Sequence, residues 1–262
     1  MNKIRTIIYK EWAEVFKNKM VLFTVIFLPL LFTALPLIIL YATGGSSVGN
    51  LTTEMPPQFM NYCPQGLSAG ECFQVYIVSQ FILLFMMMPL IIPVNIAAYS
   101  IVGEKTTRSL EPLLATPIST AELLTGKNLA AVIPAVVATW AGFLVYALGA
   151  SLIVQNRLVI AALLDPLWLS AVFLVGPLLA ILSVNFSIMV SSRVNDPRVA
   201  EQLSTIVILP LLGAFFGQIA GLFFINTGLV LGTAVVLLVI DIVMIYLAVR
   251  LFQRENILTR WK

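Results

Sequence analysis

The chain of 262 residues has no histidine, only two cysteines and only 10% charged residues. A soluble domain has about 25% charged residues, because its solvated surface needs them. The shortage of charge, with 60% apolar residues and a mean hydropathy of +1.01, excludes an ordinary soluble protein. The absence of histidine removes the commonest metal ligand and general base, and two cysteines are too few for a four-cysteine metal site. We therefore expect no metal site in this chain.

Long apolar runs take the place of the missing charges. A helix of about 20 apolar residues crosses a bilayer core of about 30 Å. Six segments qualify, at about 20–42, 75–102, 128–154, 166–191, 203–225 and 228–250. The sequence therefore predicts an all-α polytopic membrane protein, with one six-span domain (20–262) after an N-terminal segment (1–19). The break between the last two spans is weak, and a re-entrant segment near 217–228 is the alternative there.

The basic residues are distributed unevenly across these spans. Of the 15 lysines and arginines, all except Arg157 lie in the N-terminal segment, the loops after spans two and four, or the C-terminal tail. Because cytoplasmic loops retain Lys and Arg, this pattern predicts a multi-pass protein of the cell membrane with both termini in the cytoplasm. The net charge of +3 then follows from topology and does not indicate nucleic-acid binding.

One sizeable loop, residues 43–74, is predicted on the opposite side. It has no basic residue and contains both cysteines, Cys63 and Cys72. In the oxidising compartment outside a plasma membrane these two residues favour a structural disulfide over two free thiols.

The N-terminal segment has the pattern of an amphipathic helix. Apolar residues recur at steps of three and four, at Ile4, Ile7, Ile8, Trp12, Val15, Phe16 and Met20. Charged residues occupy much of the remainder, at Lys3, Lys10, Glu14, Lys17 and Lys19. The pattern predicts a helix lying along the inner membrane surface. A helical extension packed on protein is the alternative.

The loop between spans two and three contains two helical signals. Glu104 and Arg108 lie four residues apart with the acid first, which favours a helical continuation of span two. Pro112 and Pro117 then limit regular helix. These residues predict that span two extends beyond the membrane before the chain turns.

The second signal is a capping box, Ser119-Thr120-Ala121-Glu122, in which the serine and the glutamate satisfy each other's backbone amides. We expect a short new helix from about Thr120 that presents Leu123 and Leu124. The loop is then a docking surface, although a solvated loop with a helix cap explains the same residues.

The run from Glu104 to Lys127 resembles the signature of ABC exporter permeases of the type-2 family. It reads Glu-Lys-Thr-Thr-Arg-Ser-Leu-Glu-Pro-Leu-Leu-Ala-Thr-Pro-Ile-Ser-Thr-Ala-Glu-Leu-Leu-Thr-Gly-Lys. The residues that match the pattern are Glu104, Glu111, Pro117 and Gly126-Lys127. The resemblance extends over essentially the whole chain and includes Lys10-Glu11 in the N-terminal segment. The chain departs from many relatives at Arg108-Ser109, where they have Gly-Thr, which affects the expected backbone turn.

The resemblance implies a six-span permease that pairs with separate ATP-binding subunits. It implies a coupling helix near 104–124 that contacts the ATPase through Glu104, Arg108, Glu111, Pro117, Ser119, Glu122, Leu123 and Leu124. Two ATPase copies would bind ATP and Mg²⁺, and a second permease subunit, identical or different, would complete the complex.

The chain is not expected to be an enzyme. Gly126-Lys127 is not a phosphate-binding loop, because Ala121 stands at the required glycine and Asn128 at the required serine or threonine. Without histidine, and without a second acid within the spans to pair with Asp241, the chain offers no recognisable hydrolytic centre.

Three polar residues fall within the cytoplasmic half of the predicted spans: Asp241, Asn95 and Asn185. A charged side chain at the centre of a bilayer costs about 2.5–3.5 kcal/mol on insertion scales, so Asp241 should face protein or water. A polar vestibule on the translocation path is one interpretation, and hydrogen bonding for packing alone is the other.

Gly213, Gly217 and Gly221 recur every four residues in span five. A stripe of small residues allows close approach of another helix. Packing within the chain and an interface between permease subunits both explain it.

The function that these features favour is the membrane subunit of an ABC exporter, which forms the translocation path and couples to a separate ATPase. An ion channel or ion-coupled carrier that uses Asp241, and a scaffold that binds an ATPase without transport, are the alternatives.

Overall fold

The computed structural model describes residues 3–43, 67–106, 118–154 and 156–251, and every regular element within them is a helix. The helices are α1 (Lys3–Val15), α2 (Lys19–Thr43), α3 (Ala69–Thr106), α4 (Thr120–Ile153), α5 (Arg157–Leu163), α6 (Pro166–Ser170), α7 (Gly176–Arg193), α8 (Pro197–Ser204), α9 (Leu209–Ile219) and α10 (Thr227–Leu251). A π-helical turn, Ala171–Val175, joins α6 to α7, and a 3₁₀ turn, Thr205–Ile208, joins α8 to α9. Six segments are long and apolar enough to cross a membrane, which confirms the all-α six-span fold.

The second span, α3, lies at the centre of the bundle. It is the most buried of the six spans, and it packs against α2, α4 and α7. Close contact with α7 depends on small polar side chains: Ser183 Oγ donates to Leu90 O at 2.6 Å, and Ser187 Oγ donates to Val94 O at 3.4 Å. These serines therefore satisfy their hydroxyl groups within the chain while they allow the two helices to approach.

Two spans extend beyond the apolar runs that predicted them. The second was predicted at 75–102 and runs over Ala69–Thr106, and the third was predicted from 128 and begins at Thr120. Both extra ends contain charged residues, Glu104 and Lys127, which pair with each other. The ion pair allows Glu104 and Lys127 to be buried inside the helices. Apolar runs exclude charged residues, so they placed the end of span two and the start of span three too close to the apolar centre.

The fourth span also begins earlier than predicted. It covers Arg157–Arg193 instead of 166–191, and it includes α5, α6, the π-helical turn and α7. Asp165-Pro166 interrupts the apolar pattern, but Pro166 stands at the first turn of α6, where a missing backbone N–H is tolerated. The interruption therefore divides the span into segments without ending it.

The prediction of a continuous glycine stripe in span five is wrong, because the helix ends before Gly221. The span covers Pro197–Ile219, and Gly221 lies beyond it with φ 71°. Leu222 N donates to Gly217 O and Gly221 N donates to Gln218 O, both at 3.0 Å. This double hydrogen bond is a Schellman cap, which needs the left-handed conformation that glycine adopts at little cost.

The three glycines therefore have different environments. A Cβ at Gly217 would lie 2.9 Å from Phe223, within the same chain, whereas a Cβ at Gly213 would meet no atom within 4 Å. Gly221 ends the helix, so the three do not form one continuous stripe. Because a turn over 220–226 separates α9 from α10, the chain has two separate spans here rather than the re-entrant segment considered above.

The structure describes one of the two cysteines, Cys72, and it is disulfide-bonded. Cys63 lies outside the described residues, so the pairing of the two stays a prediction. The membrane orientation and the division into 1–19 and 20–262 also stay predictions.

Candidate functional site

A cluster of buried charges joins α1, α3 and α4 at one end of the bundle. Lys127 Nζ lies 2.8 Å from Glu11 Oε1 and 2.8 Å from Glu104 Oε2. The exposed fractions of Glu11, Glu104 and Lys127 are 2%, 4% and 6%. Each of the three residues belongs to a different helix, so the ion pairs fasten the N-terminal helix to the second and third spans.

Two further side chains complete this charge cluster, which we define as Lys10, Glu11, Ser100, Glu104 and Lys127. Ser100 Oγ donates to Glu11 Oε2 at 2.5 Å and accepts from Lys127 Nζ at 2.8 Å. Lys10 Nζ donates to Glu104 Oε1. Partial burial lowers the pKa of Lys10, but the hydrogen bond and negative charge of Glu104, with the charges of Glu11 and Glu14, outweigh it and raise the pKa above its usual value.

The charge cluster has equal numbers of acidic and basic groups. Taking a single charge out of water costs several kcal/mol, so buried charges persist only with close partners and further hydrogen bonds. Here each buried carboxylate has at least one ammonium partner within 2.8 Å. Removing one partner would leave another charge buried and uncompensated, which makes the three-helix junction sensitive to single substitutions.

The sequence positions Glu11 through the helical period of α1. Ile7, Glu11 and Val15 are spaced by four residues and form the buried face of this helix. Trp12 lies beside them and donates its indole N–H to Ala130 O of α4 at 2.9 Å. The structure thus confirms an amphipathic helix, and it packs this face on protein, as the second interpretation expected. Contact of α1 with a membrane surface stays a prediction.

Gly126 allows α1 to approach α4 closely. A Cβ at this position would lie 2.8 Å from Ile7 Cγ2 and 2.9 Å from Ile7 Cβ, closer than real Cβ contacts. Lys127 follows Gly126 directly and pairs with Glu11, so the dipeptide Gly126-Lys127 has two structural roles. Gly126 provides space for the N-terminal helix, and Lys127 provides its ionic partner.

The predicted capping box is present at the start of α4. Ser119 Oγ accepts from Glu122 N at 3.1 Å, and Glu122 Oε2 accepts from Ser119 N at 2.8 Å. Lys3 Nζ lies 3.7 Å from the same carboxylate oxygen of Glu122. The capping glutamate therefore provides a further contact between α1 and α4, in addition to Glu11–Lys127, Trp12–Ala130 and Ile7–Gly126.

The expectation of a separate short helix from Thr120 is wrong. The helix that begins there is α4, which continues without a break to Ile153 and includes the third span. Leu123 and Leu124 are not presented at the surface, because their exposed fractions are 4% and 5%. The apolar spacing was correct, but both side chains pack inside the bundle. The outward side of this turn carries Ser119 and Ala121, which are exposed, and Glu122, which is partly exposed.

Three of the residues assigned to coupling from the sequence, Arg108, Glu111 and Pro117, lie outside the described residues. The predicted pairing of Glu104 with Arg108 therefore stays a prediction. Within the described residues, Glu104 is held by Lys10 and Lys127.

The three polar residues assigned to a vestibule have different surroundings. Asn95 Nδ2 donates to Ile91 O of its own helix at 3.1 Å. Asn185 accepts from Asn128 Nδ2 at 2.8 Å, and both line a cleft between α4, α7 and α10. Asp241 is buried, and neither carboxylate oxygen has a hydrogen-bond partner among the described residues. A shared vestibule stays a prediction.

The sequence did not identify Ser100 and Asn128 as site residues. Glu11 and Lys127 are part of the family resemblance, but their pairing as buried ions was not predicted. Glu11 could have been found, because an acid in the middle of an apolar helical face requires a basic partner. The apolar pattern placed Lys127 in the loop after span two, so its burial against Glu11 and Glu104 could not be predicted from it. Within the part of the chain that the structure describes, no group of three acidic, cysteine or histidine residues is placed to hold a metal ion.

The fold and the charge cluster define a helical membrane protein with six spans and an N-terminal helix locked to spans two and three. The chain belongs to the ABC-2 family: the model of "ABC-2 family transporter protein" matches residues 5–230. The protein is therefore a membrane permease of an ABC transporter. No curated protein matches the chain.

The capping box gives a first prediction. Ser119→Ala removes the acceptor for Glu122 N and should lower the free energy of unfolding by about 1 kcal/mol. Thermal unfolding in detergent measures the effect. Ser151→Ala is a matched control, because Ser151 is exposed and its hydroxyl donates to Leu148 O of its own helix. Equal stability of the two variants would contradict the structural role of the cap.

Proposed function

We propose that this chain is the translocating subunit of an ABC exporter and that a separate ATPase drives it through the end of the bundle that contains the charge cluster. ATP and Mg²⁺ bind to the ATPase subunits, and a second permease subunit completes the path. The proposal places the charge cluster on the cytoplasmic side of a cell membrane. It extends the family assignment by naming the direction of transport and the route of coupling.

The observation that carries this proposal is the ionic junction between α1, α3 and α4. A coupling device must transmit a displacement from outside the membrane into the spans, and a flexible loop would absorb it. Glu104 and Lys127 lie at opposite ends of the stretch that resembles the coupling region, and their side chains are 2.8 Å apart. Movement of that stretch would therefore be transferred directly to spans two and three.

The N-terminal helix is part of the same device in this proposal. Lys10 and Glu11 bind the ends of α3 and α4, and Trp12 binds the backbone of α4. A force applied to any one of these helices would therefore reach the other two. The exposed residues Ser119 and Ala121, beside Glu122, form the described part of the surface that we assign to ATPase contact.

Affinity purification and vesicle transport test the function. The full chain, tagged at its C-terminus and extracted in mild detergent from its own membranes, should co-purify with an ABC ATPase. Inside-out vesicles containing the pair should accumulate a fluorescent amphiphile from a panel of cationic, anionic and neutral head groups when MgATP is added. A non-hydrolysable ATP analogue should abolish accumulation.

Other outcomes would overturn the proposal in distinct ways. Flux that does not need ATP would indicate a channel or an ion-coupled carrier. Co-purification of an ATPase with no ATP-dependent movement of any probe would indicate a scaffold. Accumulation only in right-side-out vesicles, with ATP supplied inside, would reverse the direction of transport.

A further inference from the structure

A shallow groove of about 350 Å³ runs along one face of the first span, α2. The described residues that line this α2 groove all belong to that helix: Lys19, Leu22, Phe23, Ile26, Phe27 and Leu30. They form two rows of residues four positions apart, so they lie on one face of the helix. The groove is therefore a feature of a single helix surface.

This face of α2 points away from the bundle. Phe23 is 61% exposed and Leu30 is 58% exposed. The rings of Phe23 and Phe27 stack with their centroids 4.8 Å apart and form a flat aromatic wall. The opposite side of the same helical turns, with Val21 and Val25, packs in or against the hydrophobic core. In a membrane the groove therefore contacts lipid chains or another polypeptide.

The α2 groove has the depth of one leaflet. The first span begins at Val21, two residues after Lys19. Leu30 lies nine residues after Val21, which is about 14 Å along the helix axis. Half of a bilayer core of about 30 Å is about 15 Å. The groove therefore extends from the headgroup level to near the bilayer centre, as a single acyl chain does.

Lys19 gives the groove a positive end at the headgroup level. Lys19 and Lys17, two residues before it, are both exposed. Among the described residues neither lysine has an acidic partner, because the two acids of α1 pair with Lys10 and Lys127. Two ammonium groups therefore carry uncompensated charge at the level where the phosphate of a phospholipid lies.

We propose that the α2 groove, together with Lys19, binds an anionic phospholipid from the leaflet on the side of the charge cluster. Its phosphate pairs with Lys19, with support from the charge of Lys17, and one acyl chain lies along the aromatic wall. In the orientation predicted from the sequence this is the cytoplasmic leaflet. The site requires neither a direction of transport nor contact with an ATPase.

The chemistry of the α2 groove selects against other occupants. A zwitterionic phospholipid carries an amine beside its phosphate, so it gains less from the two lysines. A free phosphate ion would gain nothing from the aromatic wall. A second copy of this chain that packed the same face across a two-fold axis would place Lys19 opposite Lys19, and like charges repel. Each lysine near an anionic membrane surface increases affinity about fivefold.

Photolabelling with lipid probes tests the site. The full chain, purified with any subunits that accompany it, is placed in phosphatidylcholine vesicles with a trace of phosphatidylglycerol that carries a diazirine on one acyl chain. We expect labelling that unmodified phosphatidylglycerol saturates. A diazirine near the ester should label residues 19–23, and a diazirine at the chain end should label residues 27–30. The matching phosphatidylcholine probe should label these residues weakly and without saturation.

Variants of the basic residues separate the site from general attraction to the surface. Lys19→Gln removes one charge and should weaken labelling by phosphatidylglycerol about fivefold. Lys19→Arg keeps the charge and should label like the unmodified chain. Arg198→Gln is the matched control, because it removes an exposed positive charge on α8. It should leave labelling of α2 unchanged.

Several results would overturn the proposal. Undiminished labelling of Lys19→Gln, or equal saturable labelling by the phosphatidylcholine probe, would remove the selectivity for an anionic lipid. Displacement of the probe by inorganic phosphate would indicate an anion site without a lipid. Efficient disulfide formation between two copies through Ile26→Cys would show that a second permease subunit covers the groove. Since none of these measurements depends on ATP, their failure would leave the proposed function standing.

Discussion

Lys127→Met should be among the most damaging single substitutions in this chain. It leaves Glu11 without the ammonium at 2.8 Å and removes one of the two basic partners of Glu104. Breaking a buried ion pair from one side costs about 3–5 kcal/mol, because the remaining charge stays buried. Thermal unfolding in detergent should show this loss, and ATP hydrolysis by the assembled complex should no longer respond to transported substrate.

Two further variants distinguish the ionic role from a general need for lysine. Lys17→Met removes an exposed lysine that follows α1 and should leave stability unchanged. Lys127→Met combined with Glu11→Met removes both partners of one pair and should recover much of the lost stability, because apolar residues of similar volume can replace a buried pair. A double variant as unstable as Lys127→Met would show that the pairing itself is not the cause.

Gly126→Ala should detach the N-terminal helix from the bundle. The added methyl group would lie 2.8 Å from Ile7 Cγ2, so α1 must move away from α4. Overpacking of this kind costs about 1–3 kcal/mol. Hydrogen exchange at the amides of α1 should become at least tenfold faster, while exchange in α3 and α7 should change little.

A glycine-to-alanine substitution at Gly213 should not destabilise the protein. Gly213→Ala adds a methyl group where no atom lies within 4 Å, and alanine is the better helix former. It should therefore maintain or raise stability. Ile7→Ala should rescue Gly126→Ala only in part, because it removes Ile7 Cγ2 at 2.8 Å but leaves Ile7 Cβ at 2.9 Å from the added methyl group. Unchanged exchange in α1 of the single variant would mean that the close approach is not required.

The number and approximate position of the spans could be predicted because the bilayer sets one length and one composition for each span. The capping box was also predictable, since all its partners lie within four residues of sequence. Leu123 and Leu124 show the limit of such local reasoning. Their spacing identified an apolar face correctly, but only the packing of the bundle decides whether that face contacts a partner or the core.

The charge cluster could not be predicted from local pattern. Glu11 and Lys127 are 116 residues apart, and Lys10 and Glu104 are 94 apart. Each charged residue alone is typical of a solvated surface, so the hydropathy pattern excluded these ends from the spans. Only the three-dimensional arrangement shows that the charges neutralise one another inside the bundle. The Schellman cap at Gly221 was missed for a similar reason, since a spacing of four residues also fits a continuing helix.

Site-specific photocrosslinking in the assembled complex tests the central claim most directly. A photoreactive amino acid at Ala121, on the exposed side of the capped turn, should crosslink to the ATPase subunit. The same residue at Leu152, which is 88% exposed near the other end of α4, should not. Crosslinking of the ATPase from Leu152, or from neither position in a complex that hydrolyses ATP, would contradict coupling through the charge cluster.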